Sequence, residues 1–153
     1  MEEKHDFEKN DTVEEIMSTH VISCNFDQPV QHAAQLMRDK LISCLIVLKE
    51  KAPMGIITER DIVYRLVARN LDGGHVLVKE LMSAPLKTVA PEENVYYASR
   101  VMITNHIKKL PVVKNKRLVG IITQTDLTNY FANQRKEFIL DNLRKSIKAA
   151  YPV

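Results

Sequence analysis

The chain has 153 residues, of which 45% are hydrophobic and 27% are charged, and its formal net charge is +3. This length suffices for one compact domain or for two small units that share a core, and the charge is too small to indicate nucleic-acid binding by itself. The longest apolar stretch, residues 41–48, is far too short to span a bilayer. The charged N-terminus has no apolar core and does not read as a secretory signal, so we expect a cytoplasmic protein without a membrane partner.

Few residues of the chain suggest a catalytic, redox or metal-binding site. The two cysteines, Cys24 and Cys44, lie in apolar strand-like stretches and form no CxxC pair, which favours buried, reduced thiols. The five histidines are scattered without metal-binding spacing, so no metal site is predicted. No combination of nucleophile and base is visible either, and we therefore expect no catalytic residues and no enzyme.

An internal repeat organises the chain. GIITERD at residues 55–61 returns as GIITQTD at residues 120–126, and residues 13–61 align without a gap with residues 78–126. Seventeen of the forty-nine aligned residues are identical, which indicates a tandem duplication. The predicted parts are a disordered N-terminal segment, a first repeat, a linker with Gly73 and Gly74, a second repeat and a C-terminal helical tail, at residues 1–12, 13–70, 71–76, 77–132 and 133–153.

In chain order, each repeat is predicted to open with a short helix. Thr12-x-x-Glu15 begins it as a capping box in the first repeat, and Leu77 stands at the matching place in the second. A short strand follows, at residues 21–23 or 86–88. Asp27 is then predicted to cap the central helix, with Pro29 in its first turn. Apolar residues at helical spacing give that helix one buried face: Val30, Ala33, Ala34 and Met37, and in the second repeat Val95, Ala98 and Met102.

A hairpin and a last helix complete each unit. Two β-rich runs joined by a charged turn predict hairpins at residues 44–58 and 110–123. Helices are predicted to follow, at residues 59–69 and 124–132. The unit is therefore β-α-β-β-α, and the fold class is α/β (α+β). About sixty residues bury too little surface to be stable alone, so we expect two repeats with small sheets packed face to face about a pseudo-twofold axis, which creates two equivalent clefts.

This unit resembles the cystathionine β-synthase (CBS) domain, and the tandem resembles a CBS pair, or Bateman module. The matching features are the opening helix that ends in Met17-Ser18, the central helix with Ala33 and Met37, the strand LPVV, and G-I-I-T-x-x-D before the last helix. The resemblance implies a stand-alone regulatory module of signal transduction that senses energy or metabolite state. It implies adenosine-type ligands in the clefts (AMP, ADP or ATP, with S-adenosylmethionine as a further candidate), no required cofactor and an unidentified effector protein.

A homodimer that forms a disc of four CBS domains is also implied by the resemblance. The outward helices support it independently, because they carry more apolar residues than one pair is expected to bury. These residues are Ile16, Met17, Ile62, Leu66, Leu81, Met82, Leu127 and Phe131.

The threonine and aspartate of the repeated motif have two compatible interpretations. Thr58 with Asp61, and Thr123 with Asp126, fit a capping box that starts the last helix. The same residues match the family's ribose site, where a carboxylate accepts hydrogen bonds from sugar hydroxyls. Gly55 and Gly120, inside predicted strands, indicate a close approach by backbone or by ligand.

Further nucleotide-binding residues are implied by the resemblance. Before the aspartate of the motif, the first repeat has Arg60, a planar donor suited to phosphate, and the second has Thr125, a hydroxyl donor. Lys108 and Lys109 stand where basic residues of related modules reach phosphates, although a lysine pair at a strand start is commonly just solvated. Two small residues on the first strands match a position that lines the nucleoside pocket. The complete predicted set is Ser23, Thr58, Arg60, Asp61, Thr88, Lys108, Lys109, Thr123, Thr125 and Asp126.

The tail gives an alternative function. Phe138, Leu140, Leu143 and Ile147 can form one helical stripe, which is expected to dock on its own module or on a symmetry mate. The basic remainder of the helix could instead contact nucleic acid, anionic lipid or a partner protein: Arg135, Lys136, Arg144, Lys145 and Lys148. The chain lacks helix-turn-helix and RNA-recognition signatures, so a nucleic-acid partner is the less favoured alternative.

Overall fold

The computed structural model describes residues 11–150, apart from the side chain of Ala150. The first repeat contains α1 (Val13–Ile16), β1 (Ser23–Asn25), α2 (Val30–Lys40), β2 (Cys44–Lys49), β3 (Ala52–Thr58) and α3 (Glu59–Asp61). The second repeat contains α4 (Val78–Leu81), α5 (Val95–Thr104), β4 (Lys109–Lys114), β5 (Arg117–Thr123) and α6 (Gln124–Ala150). The predicted mixed fold of two repeats is confirmed.

The helix predicted at residues 59–69 has three geometries. After α3 the chain continues into a π-helical turn, Ile62–Leu66, and then a 3₁₀ turn, Val67–Arg69. The segment ends at Asn70, which has a left-handed conformation with φ 52°, a common way to stop a helix.

Both hairpins form as predicted. Strands β2 and β3 are antiparallel with Cys44 opposite Thr58, and β4 and β5 are antiparallel with Lys109 opposite Thr123. In each hairpin the register shifts by one residue directly after the valine that pairs with a glycine. These pairs are Val47 with Gly55 and Val112 with Gly120. The duplication therefore extends to this irregularity of the sheet.

The first strands differ from the prediction. In the first repeat the strand is Ser23–Asn25 rather than residues 21–23, and it pairs parallel with β2. In the second repeat the strand expected at residues 86–88 is reduced to one parallel bridge between Val89 and Val112. The reason is Pro111: its counterpart Ile46 donates its amide hydrogen to the Ile22 carbonyl, and proline has no amide hydrogen to donate.

The start of α2 also differs. Asp27 does not cap this helix; Pro29 occupies the N-cap position and makes no side-chain cap. The first amides of the helix donate instead to linker carbonyls, Val30 N to Val76 O at 2.8 Å and Gln31 N to Gly73 O at 2.9 Å. The linker backbone thus satisfies the donors that a side-chain cap would take.

The opening helix of each repeat belongs to the core of the other. Val13 is fully buried in the second repeat's core, and Val78 is fully buried in the first repeat's core, together with Leu81. Backbone bonds fix both exchanges: Val13 N donates to Glu93 O, and Val78 N donates to Gln28 O, each at 2.8 Å. Neither core is complete without the other repeat.

The two sheets face each other. Leu45, Val47 and Ile57 lie in the first core, so the alternate residues of these strands point to the opposite face of the sheet. On that face the buried residues Cys44 and Ile46 belong to neither helix-side core. β3 contacts β5 there, which confirms the predicted face-to-face packing.

The apolar residues expected on the outward helices are mostly covered. Leu66, Leu81 and Leu127 are buried within the chain, and the other five members of that set are half-buried. The expectation that one pair cannot bury all of these residues is therefore confirmed for those five, and the three buried leucines are the exceptions. The large apolar residues most exposed on the two repeats are Leu41, Val67 and Ile103, at 92%, 65% and 70%.

α6 runs without interruption through residues 132 and 133, where the sequence predicted a separate tail. Leu140, Leu143 and Ile147 are 42%, 53% and 61% exposed, so residues 11–150 do not cover the predicted stripe. Of the predicted disordered segment, residues 1–10 lie outside the described residues. The described residue Asp11 accepts a hydrogen bond from Tyr130 Oη at 2.7 Å.

Gly55 and Gly120 mark a close approach by backbone. A Cβ at Gly55 would lie 2.8 Å from the carbonyl oxygen of Ser83, and one at Gly120 would lie 2.9 Å from that of Ser18. These carbonyls belong to the segments that follow the exchanged helices and bridge to Ile56 and Ile121. The lack of a side chain at each glycine therefore leaves room for the backbone of the other repeat.

We expect Gly55→Val and Gly120→Val each to lower the free energy of unfolding by about 1–3 kcal/mol, because the added side chain overpacks against fixed backbone. Gly74→Ala is the control, since its Cβ would meet only side-chain ends at 3.3 Å. Urea unfolding measures all three. A Gly55→Val protein as stable as the control would contradict the close-approach assignment.

Candidate functional site

The first predicted pair forms a complete capping box, which we name carboxylate site one (Thr58 and Asp61). Asp61 Oδ2 accepts from Thr58 N at 2.9 Å and from Thr58 Oγ1 at 3.0 Å, while Asp61 N donates to Thr58 Oγ1 at 3.2 Å. All of these carboxylate bonds use one oxygen. The local interpretation of the motif is thus confirmed, and Oδ1 is left for other partners.

Carboxylate site two (Thr123 and Asp126) has the same geometry. Asp126 Oδ2 accepts from Thr123 N and from Thr123 Oγ1, both at 2.8 Å, and Asp126 N donates to Thr123 Oγ1 at 3.2 Å. Both aspartates are half-buried. A carboxylate fixed at the carboxyl end of a strand, with an unused oxygen, is a preorganised acceptor for hydroxyl donors.

An arginine that the sequence analysis did not select distinguishes site one. Arg65 Nε lies 3.7 Å from Asp61 Oδ1, and Arg65 Nη1 donates to the Leu81 carbonyl at 2.8 Å. Leu81 is the last residue of α4, so Arg65 connects site one to an exchanged helix. The i,i+4 spacing of Asp61 and Arg65 was a signal available in the sequence.

Site two has no such connection within residues 11–150. The residue equivalent to Arg65 is Tyr130, whose hydroxyl donates to Asp11. Burial, reinforced by this hydrogen bond and by the Asp11 charge, raises the pKa of Tyr130 above its ordinary value. In the described part of the chain, Asp126 Oδ1 has no hydrogen-bond partner.

Lys109 lies between the repeats. Its ammonium donates to Ser43 Oγ of the first repeat at 2.5 Å. Burial raises the pKa of the neighbouring Cys44 thiol, and the Lys109 ammonium opposes part of this shift. Ser43 O also accepts from Glu59 N at 3.0 Å, so Lys109 stands near the start of α3.

The two cysteines are free and buried, as predicted. Burial raises the pKa of Cys24 to about 11. Cys24 lies in the first core, whereas Cys44 is on the opposite face of the sheet. Their side chains therefore point away from each other.

The remaining predicted residues are spread around the two sites. The Arg60 guanidinium lies over the ring of Tyr64, 5.1 Å from its centroid, and Lys108 and Thr125 are exposed. Ser23 lies opposite Ile46, so β2 separates it from β3 and a ligand touching both outer strands must span roughly 10 Å. Thr88 is exposed beside the single bridge at Val89.

Two grooves in the described structure are lined by residues other than the four of the carboxylate sites. Groove one, about 730 Å³, lies between α2 and the helical turns after β3, and groove two, about 500 Å³, lies between α5 and α6. They are equivalent under the duplication: Met37, Ile42 and Ile62 of groove one correspond to Met102, Ile107 and Leu127 of groove two. Lys109 reaches the edge of groove one, and Lys108 lines groove two.

Residues 11–150 contain no group of three histidine, cysteine, aspartate or glutamate side chains able to hold a metal ion. No helix within the same range combines the length and apolar character needed to cross a membrane.

Comparison with known proteins identifies both repeats. The model of the CBS domain matches residues 13–68 and 78–133. The CBS domain-containing protein YhcV of Bacillus subtilis (strain 168) is 32% identical over 133 residues, which cover 86% of this chain and 94% of that protein. Other curated relatives are longer, and the chain spans 60% and 35% of two of them.

Solved structures agree. The CBS domain pair of protein MJ0100, in complex with 5-methylthioadenosine and S-adenosyl-L-methionine, has a TM-score of 0.73 at 27% identity and covers 81% of this chain and 98% of its own. A hexameric CBS-CP12 protein from bloom-forming cyanobacteria has a TM-score of 0.72 at 32% identity and covers 93% of this chain and 84% of its own.

Proposed function

Because the chain belongs to the CBS-domain family and carries two CBS domains, we propose that it is a regulatory module that binds an adenosine-type nucleotide at its two carboxylate sites. AMP, ADP and ATP are the favoured ligands, and S-adenosylmethionine is a further candidate. The module would sense energy or metabolite state and act on an effector protein rather than catalyse a reaction. Its cytoplasmic location stays a prediction from the sequence.

The observation that carries this proposal is that each aspartate uses only one of its two carboxylate oxygens, Oδ2, to accept hydrogen bonds from its threonine. Oδ2 accepts hydrogen bonds from the amide and the hydroxyl of the threonine, while Oδ1 of Asp126 has no hydrogen-bond partner among residues 11–150. A vicinal ribose diol presents two hydroxyl donors to such an oxygen. The related pair of MJ0100, solved with two adenosine derivatives, supports the same ligand class.

The phosphate groups of the ligand would contact the positively charged side chain that lies between the repeats, Lys109. The Lys109 ammonium donates to Ser43 Oγ, and the Ser43 carbonyl accepts from Glu59 N, the first amide of α3. Lys109 therefore lies close to site one, although it belongs to the second repeat. Arg60 and Lys108 are the other cations of the predicted set, and both are exposed.

We expect Asp126→Asn to weaken binding of AMP at site two at least tenfold, since a lost charge-assisted hydrogen bond is worth about 1.5–3 kcal/mol. The asparagine carbonyl can replace Oδ2 in the capping box, so the melting temperature without ligand should change little. Asp61→Asn should act alike at site one. Calorimetry with AMP, ADP, ATP, S-adenosylmethionine and GTP measures both variants and the double variant.

Asp141→Asn is the matched control, because Asp141 is exposed on α6 and, within residues 11–150, makes only a 3.8 Å pair with Arg144. If the wild type binds an adenine nucleotide and the double variant binds it equally well, the ribose role of the aspartates is wrong. If the wild type binds none of the four adenosine-containing ligands, the nucleotide proposal itself fails.

We propose further that two chains pair through their helix faces into a disc of four CBS domains. Both repeats present a groove there, and Leu41 and Ile103, which line the two grooves, are 92% and 70% exposed. Exposed apolar surface of this kind is typical of an interface. The hexameric relative shows that association occurs among proteins of this fold.

Light scattering should therefore give a mass of twice 17.5 kDa at tens of micromolar. Leu41→Lys combined with Ile103→Lys should halve it, because two charges would be buried in the interface. Leu143→Lys, on the extended part of α6, is the control and should leave the dimer intact. A wild-type monomer at this concentration would disprove the disc.

The alternative function, a partner contact made by the basic C-terminal helix, is favoured by the exposed stripe on α6. Leu140, Leu143 and Ile147 remain uncovered by residues 11–150, and five basic residues lie around them. An apolar stripe favours a protein partner over nucleic acid, whose binding rests on phosphate contacts.

A mobility-shift assay with RNA and DNA tests this preference. We expect no complex at 150 mM salt, with or without the substitutions Arg144→Gln and Lys145→Gln. A wild-type complex that weakens steeply with salt and is lost in the double variant would establish nucleic-acid binding instead.

A further inference from the structure

Arg65 makes two contacts that its equivalent in the second repeat, Tyr130, does not make among the described residues. Its two ends contact different parts of the molecule: Nε faces Asp61 Oδ1 at 3.7 Å, and Nη1 donates to the Leu81 carbonyl at 2.8 Å. The side chain is 48% exposed, whereas the Asp61 side chain is 13% exposed. The guanidinium therefore lies beside the carboxylate oxygen that accepts no hydrogen bond from Thr58.

The Leu81 carbonyl is the end of an exchanged helix. The next residues form the contact between repeats: Met82 Sδ is among the nearest atoms to Gly55, and Ser83 exchanges two backbone hydrogen bonds with Ile56, at 2.8 and 3.1 Å. Whatever displaces Arg65 from Asp61 thus acts on a segment that holds the first sheet to the second repeat.

The π-helical turn helps to place this arginine. Arg65 lies within Ile62–Leu66, and a π-turn inserts an extra residue per hydrogen-bonded ring compared with an α-helix. The second repeat has an ordinary α-helix at the same place, where Tyr130 contacts Asp11 instead of the end of α1. The two carboxylate sites are therefore alike in their capping boxes and different in their connections.

We propose that Arg65 is a positioning residue that couples occupancy of Asp61 to the end of α4, which would make site one the responsive site and site two the uncoupled one. This inference rests on the proposed function, because it takes ribose hydroxyls as the ligand groups at Oδ1. A hydroxyl at Oδ1 competes with the guanidinium, and the guanidinium is held at its other end by Leu81. Ligand binding and the position of α4 are linked through this one side chain.

The experiment uses the full chain with Asp126→Asn, so that site two binds at least tenfold more weakly. Neutral adenosine is the probe, so that Arg65 does not act on a phosphate. Hydrogen exchange of the Met82 and Ser83 amides, which donate to Val78 O and Ile56 O, reports the end of α4. We expect saturating adenosine to change their exchange rates about twofold or more. In the same chain with Arg65→Met, this change should vanish while adenosine still binds.

Affinity gives a second measurement. Arg65→Met should tighten adenosine binding at site one by roughly two- to fivefold, because the substitution removes a half-exposed ion pair that competes with the ligand for Asp61. Arg65→Lys keeps the charge but cannot span both partners, so it should lose the exchange response as well. Arg69→Met, at an exposed arginine four residues further on, is the matched control and should keep the response.

Three outcomes are decisive. A ligand-dependent exchange change that persists in Arg65→Met overturns the coupling role, and so does an unchanged Met82 and Ser83 in the Asp126→Asn chain with adenosine bound. Absence of binding of AMP, ADP, ATP and S-adenosylmethionine to the wild type overturns the proposed function itself, and the Arg65 role with it; where AMP binds and adenosine does not, AMP takes the place of adenosine in the same comparison.

Discussion

The exchange of the opening helices is the constraint on which the rest of the structure depends. Val13 and Val78 are fully buried in the core of the opposite repeat, and the backbone on both sides of each helix is bonded to that repeat. Burial of each of these valine side chains stabilises the folded state by about 1.5–3 kcal/mol, in addition to the hydrogen bonds. The chain therefore cannot complete one half without the other, and the two halves should unfold together.

The same exchange fixes the geometry between the carboxylate sites. The residues after α1 reach β5 beside Gly120, and those after α4 reach β3 beside Gly55. Each site thus begins at the end of a strand that the other repeat holds in place. Site one and site two cannot move relative to each other without loss of these contacts.

The sequence predicted those features that rest on local pattern. Helical and strand periodicity located α2, α5 and both hairpins, and the spacing of Thr58 and Asp61 was enough to predict a capping box. The features it missed depend on residues far apart in the chain: the linker carbonyls that cap α2, the exchanged helices and the contact of Arg65 with Leu81. Pro111 is an intermediate case, since its missing amide is visible in the sequence but its partner strand is not.

α6 has a mechanical consequence. Its 27 residues form one uninterrupted rod, about 40 Å long at 1.5 Å per residue, and the rod is rooted in the capping box of Asp126. A tilt of about 5° at the root would displace the free end by roughly 3.5 Å, since a stiff helix of this length carries a rotation with little loss. The far end of α6 is consequently a lever arm, which converts an angular adjustment too small to disturb the core into a displacement comparable to a side chain's width.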